Sequence, residues 1–211
     1  HERTYVIFHT LFGRRVNDCL SRALAYTIGK QQRRDVEVGI SDNGFYVTAD
    51  KPFNAVKAFT MIDTENFRPV LENAIERSEV LKRRFRHCAA RSLMILRQYM
   101  GRKKSAGKLQ MGSRLLFSAV KRLDQQFSIL KEARREVLED VMDYEHALEI
   151  LGNNIALEEM FTEIPSPFAI GLIVSGHSDV IKIEDKHDFV RRMHHLVRAK
   201  IALKEGKKVK N

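Results

Sequence analysis

Positive charge is concentrated in one segment of this sequence, and that concentration limits what the chain can fold into more than any other feature. Between Arg77 and Lys108 stand eleven Lys or Arg and a single carboxylate, Glu79. The whole chain of 211 residues has a formal net charge of +10, so this segment holds all of the excess and the remainder is neutral. A run this charged cannot be enclosed in a core, because an unpaired buried charge costs more than packing recovers. It must lie at the surface, with at most one side turned inward.

Residues 79–100 have such a side. On a helical period Leu81, Phe85, Cys88, Ser92, Ile95, Leu96 and Tyr99 fall together, and Arg83, Arg84, Arg86, His87, Arg91 and Arg97 fall opposite. The spacing predicts a helix over 79–100. No carboxylate shares the arginine side. Like charges at i,i+4 disfavour a helix by about a few tenths of a kcal/mol each, so something anionic is expected to meet this face. One candidate is the acidic stretch Glu132, Glu136, Glu139, Asp140, Asp143 and Glu145 of the same chain. The other is a nucleic-acid backbone, whose phosphate oxygens match the arginine fork. The loop Arg102-Lys103-Lys104-Ser105 carries the charge past the helix, and the cations outnumber the plausible internal partners, which favours phosphate. Arg83, Arg84, Arg86, Arg91, Arg97, Lys103, Lys104 and Lys108 are the expected contacts. Arg14 and Arg15, opening an earlier helix after Gly13, form a possible second anion patch.

The stretch from Gly101 to Gln110 has the ingredients of a phosphate-binding loop without its spacing. A P-loop needs four residues between its glycines, then Lys, then Ser or Thr for magnesium. Five residues separate Gly101 from Gly107, and Leu109 stands where the hydroxyl is needed. The basic loop therefore reads as a backbone contact, with its glycines allowing close approach; it does not read as a nucleotide site.

The rest of the chain supplies an α+β scaffold. The first fifty residues read β-α-β-β: a strand at Thr4–Thr10, an amphipathic helix from Gly13 to Gly29, and strands at 35–40 and 45–49. Ser41-Asp42-Asn43-Gly44 joins the last two as a hairpin, with Asn43 and Gly44 suited to positive φ. Helices are expected near 54–61, 66–77, 113–124, 129–142, 144–151 and 186–204, and a short strand over 158–164. Pro165-Ser166-Pro167 marks a corner. The expected organisation is one domain over 1–211, in which a small, partly antiparallel sheet (1–62) packs with a mainly helical bundle (63–204) ahead of a frayed basic tail (205–211). The chain opens His1-Glu2-Arg3-Thr4, as expected for a piece of a longer polypeptide.

Several chemistries lack their residues. Cys19 and Cys88 form no disulfide framework and point to a reducing compartment. No CxxC or HxxxH pair suggests zinc. Asp140 and Asp143 share a helix face, but nothing completes a two-metal site. His187, His194 and His195 fall on one amphipathic helix without a further ligand, and no Ser, Cys or His arrangement supports a triad. No apolar run approaches a membrane span. Phe45 or Tyr46 is a candidate for stacking on a base.

Four stretches then carry a resemblance. Phe8-His9-Thr10-Leu11-Phe12-Gly13-Arg14-Arg15-Val16-Asn17 comes first. Arg83-Arg84-Phe85-Arg86-His87 follows, leading to Arg91-Ser92-Leu93-Met94-Ile95-Leu96-Arg97. Arg135-Glu136-Val137-Leu138-Glu139-Asp140-Val141-Met142-Asp143 and Pro165-Ser166-Pro167-Phe168 complete the order. Together they resemble the helicase-associated domain of Lhr-type (large helicase-related) superfamily 2 helicases, from about Thr4 to about Ile170. That family usually has a Gly-Arg-Gln-Gln-like run after its glycine-rich loop, where this chain has Gly107-Lys108-Leu109-Gln110. The resemblance implies an accessory module that guides or clamps single-stranded DNA, or an RNA–DNA hybrid, for an ATP-driven 3′-to-5′ motor in DNA repair or recombination. RecA-like motor and winged-helix domains of the same polypeptide would be its partners. ATP and magnesium would belong to that motor, with no cofactor and no catalytic residue in this segment. The implied location is the prokaryotic cytoplasm, with the nucleoid. The alternative is a docking module whose basic helix packs on the motor or another protein without touching nucleic acid.

Overall fold

The computed structural model describes residues 4–33, 35–50, 52–153, 155–162 and 165–177, together with Arg191, His194, His195 and Arg198. In chain order the elements are β1 (Thr4–His9), α1 (Arg14–Gln32), β2 (Glu37–Ser41), β3 (Gly44–Ala49), α2 (Ala55–Thr60), α3 (Phe67–Ile75) and α4 (Glu79–Arg91). There follow β4 (Gln98–Tyr99), β5 (Arg102–Lys103), α5 (Ala106–Leu123), α6 (Ser128–Arg135), a π-helical turn (Glu136–Val141), α7 (Tyr144–Gly152) and α8 (Pro167–His177). The class is α+β, as the sequence reading expects. The chain divides into two compact units, residues 1–61 with 154–211, and residues 62–153.

The first unit is built on a three-stranded antiparallel sheet in the order β1-β3-β2. Phe8 lies opposite Phe45 in the register, and their rings stack with centroids 4.7 Å apart. Every residue of β3 is buried, so both faces of the central strand are covered; α1 and α8 each pack on β2 and β3. The two-residue turn Asp42-Asn43 closes the hairpin without the positive φ expected at Asn43. Gly44 is required for space instead. A Cβ there would come within 2.3 Å of the Phe8 carbonyl oxygen. The side chain of Asn17, fully buried, ties the start of α1 to this turn. Its Nδ2 donates to the carbonyls of Ser41 (2.9 Å) and Asp42 (3.3 Å), and its Oδ1 accepts from the Thr10 hydroxyl.

The second unit is helical around Phe67, Leu71, Ile75, Leu81, Phe85, Leu130, Val137, Leu138 and Met142, all buried. Phe85 meets Phe117 edge-to-face at 5.2 Å. Helix α4, capped by the Ser78 hydroxyl at the Leu81 amide, packs on α5, α6 and the π-helical turn.

Several elements differ from expectation. The helix predicted over 79–100 stops at Arg91. Ser92 and Leu93 turn the chain by donating to the carbonyls of Cys88 and Ala90, and Ile95 donates to that of Ala89. Leu93 takes the left-handed φ of 61 that ends the helix. Leu81, Phe85 and Cys88 are buried as the periodicity requires, whereas Ser92 and Leu96 are exposed. Helix α5 begins at Ala106, ahead of 113, because the Ser105 hydroxyl caps it at the Lys108 amide. The helix expected over 129–142 continues past Arg135 as a π-helical turn closed by the Met142 amide on the Val137 carbonyl. Residues 158–162 form no strand, and residues 163 and 164 lie outside the described set. The helix expected over 186–204 also lies outside it, apart from Arg191, His194, His195 and Arg198, which are helical.

Candidate nucleic-acid interface

The arginines of α4 divide by what they touch. Glu136, at the start of the π-helical turn, has a side chain only 4% exposed and faces the basic helix. Its Oε1 accepts from Arg91 Nη2, and Arg84 Nη1 lies 3.6 Å from its Oε2. The carboxylate raises the Arg91 pKa above its ordinary value through this hydrogen bond and its charge. Arg91 Nη2 also reaches the Cys88 Sγ at 3.4 Å. Burial and then the Glu136 charge push that thiol upward, so it stays protonated and chemically quiet. Arg91 remains 61% exposed despite its anchor, so its other donors face solvent.

Three further carboxylates of the acidic stretch have partners away from α4, Asp143 holding His146 at 3.1 Å. Glu132 and Glu139 both bind Arg135, at 2.7 and 3.0 Å. Glu79 binds Lys82 at 2.7 Å and Arg114 at 3.4 Å. Of the two partners expected for the basic face, the internal one therefore meets only Arg84 and Arg91 among the described residues. Arg83, exposed, and Arg86, half-buried, have no carboxylate within ion-pair distance among the described residues.

Beyond α4 the basic loop is a hairpin. Gln98 pairs with Lys103 and Tyr99 with Arg102, and the Lys104 amide continues the ladder to the Arg97 carbonyl at 3.0 Å. Met100 (φ 48) and Gly101 (φ 76) are the central residues, both with the positive φ that a type I′ turn requires. Alternation along the strands places Arg97, Arg102 and Lys104 on one face and Lys103 on the other. Like charges facing each other across a ladder disfavour it, and none of these cations has a carboxylate partner among the described residues. Lys108 follows in the first turn of α5, also exposed.

His87 registers the resulting field. Crowding by neighbouring groups, and then the charges of Arg86, Arg84, Arg97 and Arg91, lower its pKa below the ordinary value. Arg97 acts on it although it stands on the hairpin and not on α4, so helix and hairpin contribute to one positive region.

In the other unit Arg14 and Arg15 are exposed at the start of α1, where Gly13 (φ 85) donates its amide to the Asp42 carbonyl. Phe45 and Tyr46 are 0% and 4% exposed, which rules out stacking on a base. Burial in the central strand is the reason. Among the described residues there is no group of three or more His, Cys, Asp or Glu placed to hold a metal, and no helix long and apolar enough to cross a membrane. Sequence reasoning missed Glu136 as the specific anchor of Arg84 and Arg91, and it missed the hairpin; adjacent Met100 and Gly101 were its sole turn signal.

Residues 1–169 match the DEAD/H associated family. The chain belongs to that family. Its relatives include the ATP-dependent helicase Lhr-Core of Methanothermobacter thermautotrophicus, 48% identical over 92% of this chain and 23% of that protein. The ATP-dependent helicase Lhr-Core of Saccharolobus solfataricus is 42% identical over 90% of this chain and again 23% of its own length. A solved structure of the Mycobacterium smegmatis helicase Lhr, bound to ssDNA and AMP-PNP, superposes with a TM-score of 0.70 at 28% identity, covering 81% of this chain and 22% of that one. The chain thus spans about a quarter of the length of the DEAD/H associated relatives it matches.

Proposed function

We propose that this DEAD/H associated chain is the strand-holding module of an Lhr-type ATP-dependent helicase. It guides or clamps a single nucleic-acid strand, DNA or the strand of an RNA–DNA hybrid, for a RecA-like motor of the same polypeptide that moves 3′-to-5′ in DNA repair or recombination. The observation that carries this reading is the row of cations on α4 and the hairpin that have no carboxylate partner among the described residues: Arg83, Arg86, Arg97, Arg102, Lys103 and Lys104. Arg84 and Arg91 add to it from fixed positions set by Glu136. Arginine forks at such spacing bind phosphate oxygens and position a strand without reading its sequence. The relatives named as ATP-dependent helicases, and the related structure bound to ssDNA, support the same reading. ATP and magnesium are assigned to the motor, and a winged-helix domain of the polypeptide is a further neighbour. Arg14 and Arg15 are a second phosphate patch.

The experiment is anisotropy of a labelled single strand over a salt series, comparing the chain with Arg83, Arg86 and Arg97→Ala. Arg84 and Arg91 are left intact, because their loss would strand a buried carboxylate. The expected result is a salt slope shallower by about 2, roughly 0.7 for each lost phosphate contact. Equal affinity and equal slope would turn the reading to protein docking. One observation favours that second reading: Met111 and Leu115, one turn apart on α5, are each 68% exposed.

A further inference from the structure

The tip of the basic hairpin carries a side chain that phosphate binding does not explain. Met100 is 84% exposed, at the outermost position of a two-stranded ribbon. A tip exposed to water favours Asn or Asp followed by Gly, since these tolerate the left-handed conformation and hydrogen-bond with solvent. Methionine at φ 48 has neither advantage. It is, however, unbranched, polarizable and well suited to the faces and edges of aromatic rings. The cations around it decide which rings. Arg97, Arg102 and Lys104 line one face of the ribbon and Lys103 the other, so an apolar tip projects from a cationic collar. An apolar partner protein would gain nothing from that collar. A nucleic-acid strand offers both complements at once, phosphates for the collar and π-faces for the tip.

We propose that the hairpin inserts Met100 between successive bases of the bound strand while Arg97, Arg102, Lys103 and Lys104 hold the adjoining phosphates. Apolar side chains, Met among them, unstack base steps in this way in other nucleic-acid-binding proteins. The hairpin is the right shape for it: the main-chain ladder at its base resists bending, and the rotatable thioether at its end adapts to either base of a step. The inference rests on the proposed strand-holding function and adds to it a contact with the bases.

The test uses a single-stranded oligodeoxynucleotide with one 2-aminopurine between adenines, whose fluorescence rises when its neighbours are pulled away. The variant is Met100→Asn, which creates the Asn-Gly sequence most favoured in a type I′ turn and so keeps the hairpin folded. The unchanged chain is expected to raise the fluorescence about twofold or more on binding. Met100→Asn is expected to abolish that rise and weaken affinity roughly five- to tenfold, at the low end of the range for losing one base contact. Its salt slope should stay that of the unchanged chain, because no phosphate contact is lost. Binding with no fluorescence rise, or an equal rise with Met100→Asn, overturns the inference and leaves the strand-holding function standing. Absence of binding by the unchanged chain overturns both.

Discussion

Arg91 donates through Nη2 to Glu136 Oε1 across 45 residues of sequence, and it does so at a carboxylate that is almost wholly buried. The pair fixes where the end of the basic helix stands against the π-helical turn. Removing the arginine leaves Arg84, at 3.6 Å, as the carboxylate's one cation among the described residues, and one oxygen already lacks a hydrogen-bond partner. Arg91→Ala is therefore expected to lower the urea midpoint of the 62–153 unit. Glu136→Gln on the same background should recover part of that loss, since the amide carries no stranded charge. Urea denaturation followed by circular dichroism, completed as a double-mutant cycle, measures both.

A second prediction concerns acid. Burial works against ionisation of Glu76, but hydrogen bonds from Arg134 and Lys121 outweigh it and hold the pKa below the ordinary 4.5. Arg134 reaches both oxygens, at 3.2 and 3.1 Å, and Lys121 lies 3.0 Å from one. A depressed carboxylate stabilises the fold above its unfolded pKa, and that contribution is lost as pH falls from 4.5 through the folded value. Arg134→Ala should cost roughly 1.5–3 kcal/mol at neutral pH, and its stability should fall less steeply below pH 4.5. A thermal-melt series across pH on both proteins decides it.

His87 offers a different handle on the same helix. Its lowered pKa means that the unfolded chain binds more protons below about 6.5, so this residue makes stability decline as pH drops through that value toward the folded pKa. A phosphate backbone lying on the arginines would reverse the local field and raise the His87 pKa. Binding should then take up a proton. Affinity for a single strand is expected to be up to about tenfold tighter at pH ~6 than at pH ~8, and His87→Gln should flatten that dependence. Proton NMR of the imidazole with and without oligonucleotide reads the shift directly.

In the sheet, Gly44→Ala tests close approach. The new methyl would sit 2.3 Å from the Phe8 carbonyl oxygen, a main-chain atom paired into the ladder that cannot step aside. The expected cost is about 2 kcal/mol or more, read as a lowered urea midpoint with circular dichroism, the chain having no Trp.

Legibility from sequence followed how local each determinant was. The β-α-β-β start, the hairpin at Asp42 and the buried side of α4 through Cys88 are set by alternation, helical period and turn residues close in sequence, and the structure bears them out. Helix α4 was read nine residues too long because Ile95, Leu96 and Tyr99 keep the helical phase after the helix has ended. What stops it is Leu93 in a left-handed conformation, which no leucine advertises. Glu136 was one of six carboxylates in a short stretch. Only tertiary packing, which buries it against α4 while Glu132 and Glu139 turn to Arg135, singles it out. Phe45 and Tyr46 looked available for the same reason in reverse, since a sequence does not say which strand of a sheet is central.

The unit formed by residues 62–153 is continuous in the chain, whereas the other is assembled from residues on either side of it. This arrangement sets an order of events during synthesis on the ribosome. Everything the helical unit needs has been made once Asn153 is added, but the sheet still lacks Pro167–His177, the helix that packs on β2 and β3. The nascent chain can complete the 62–153 unit first, holding an unfinished sheet until that helix emerges.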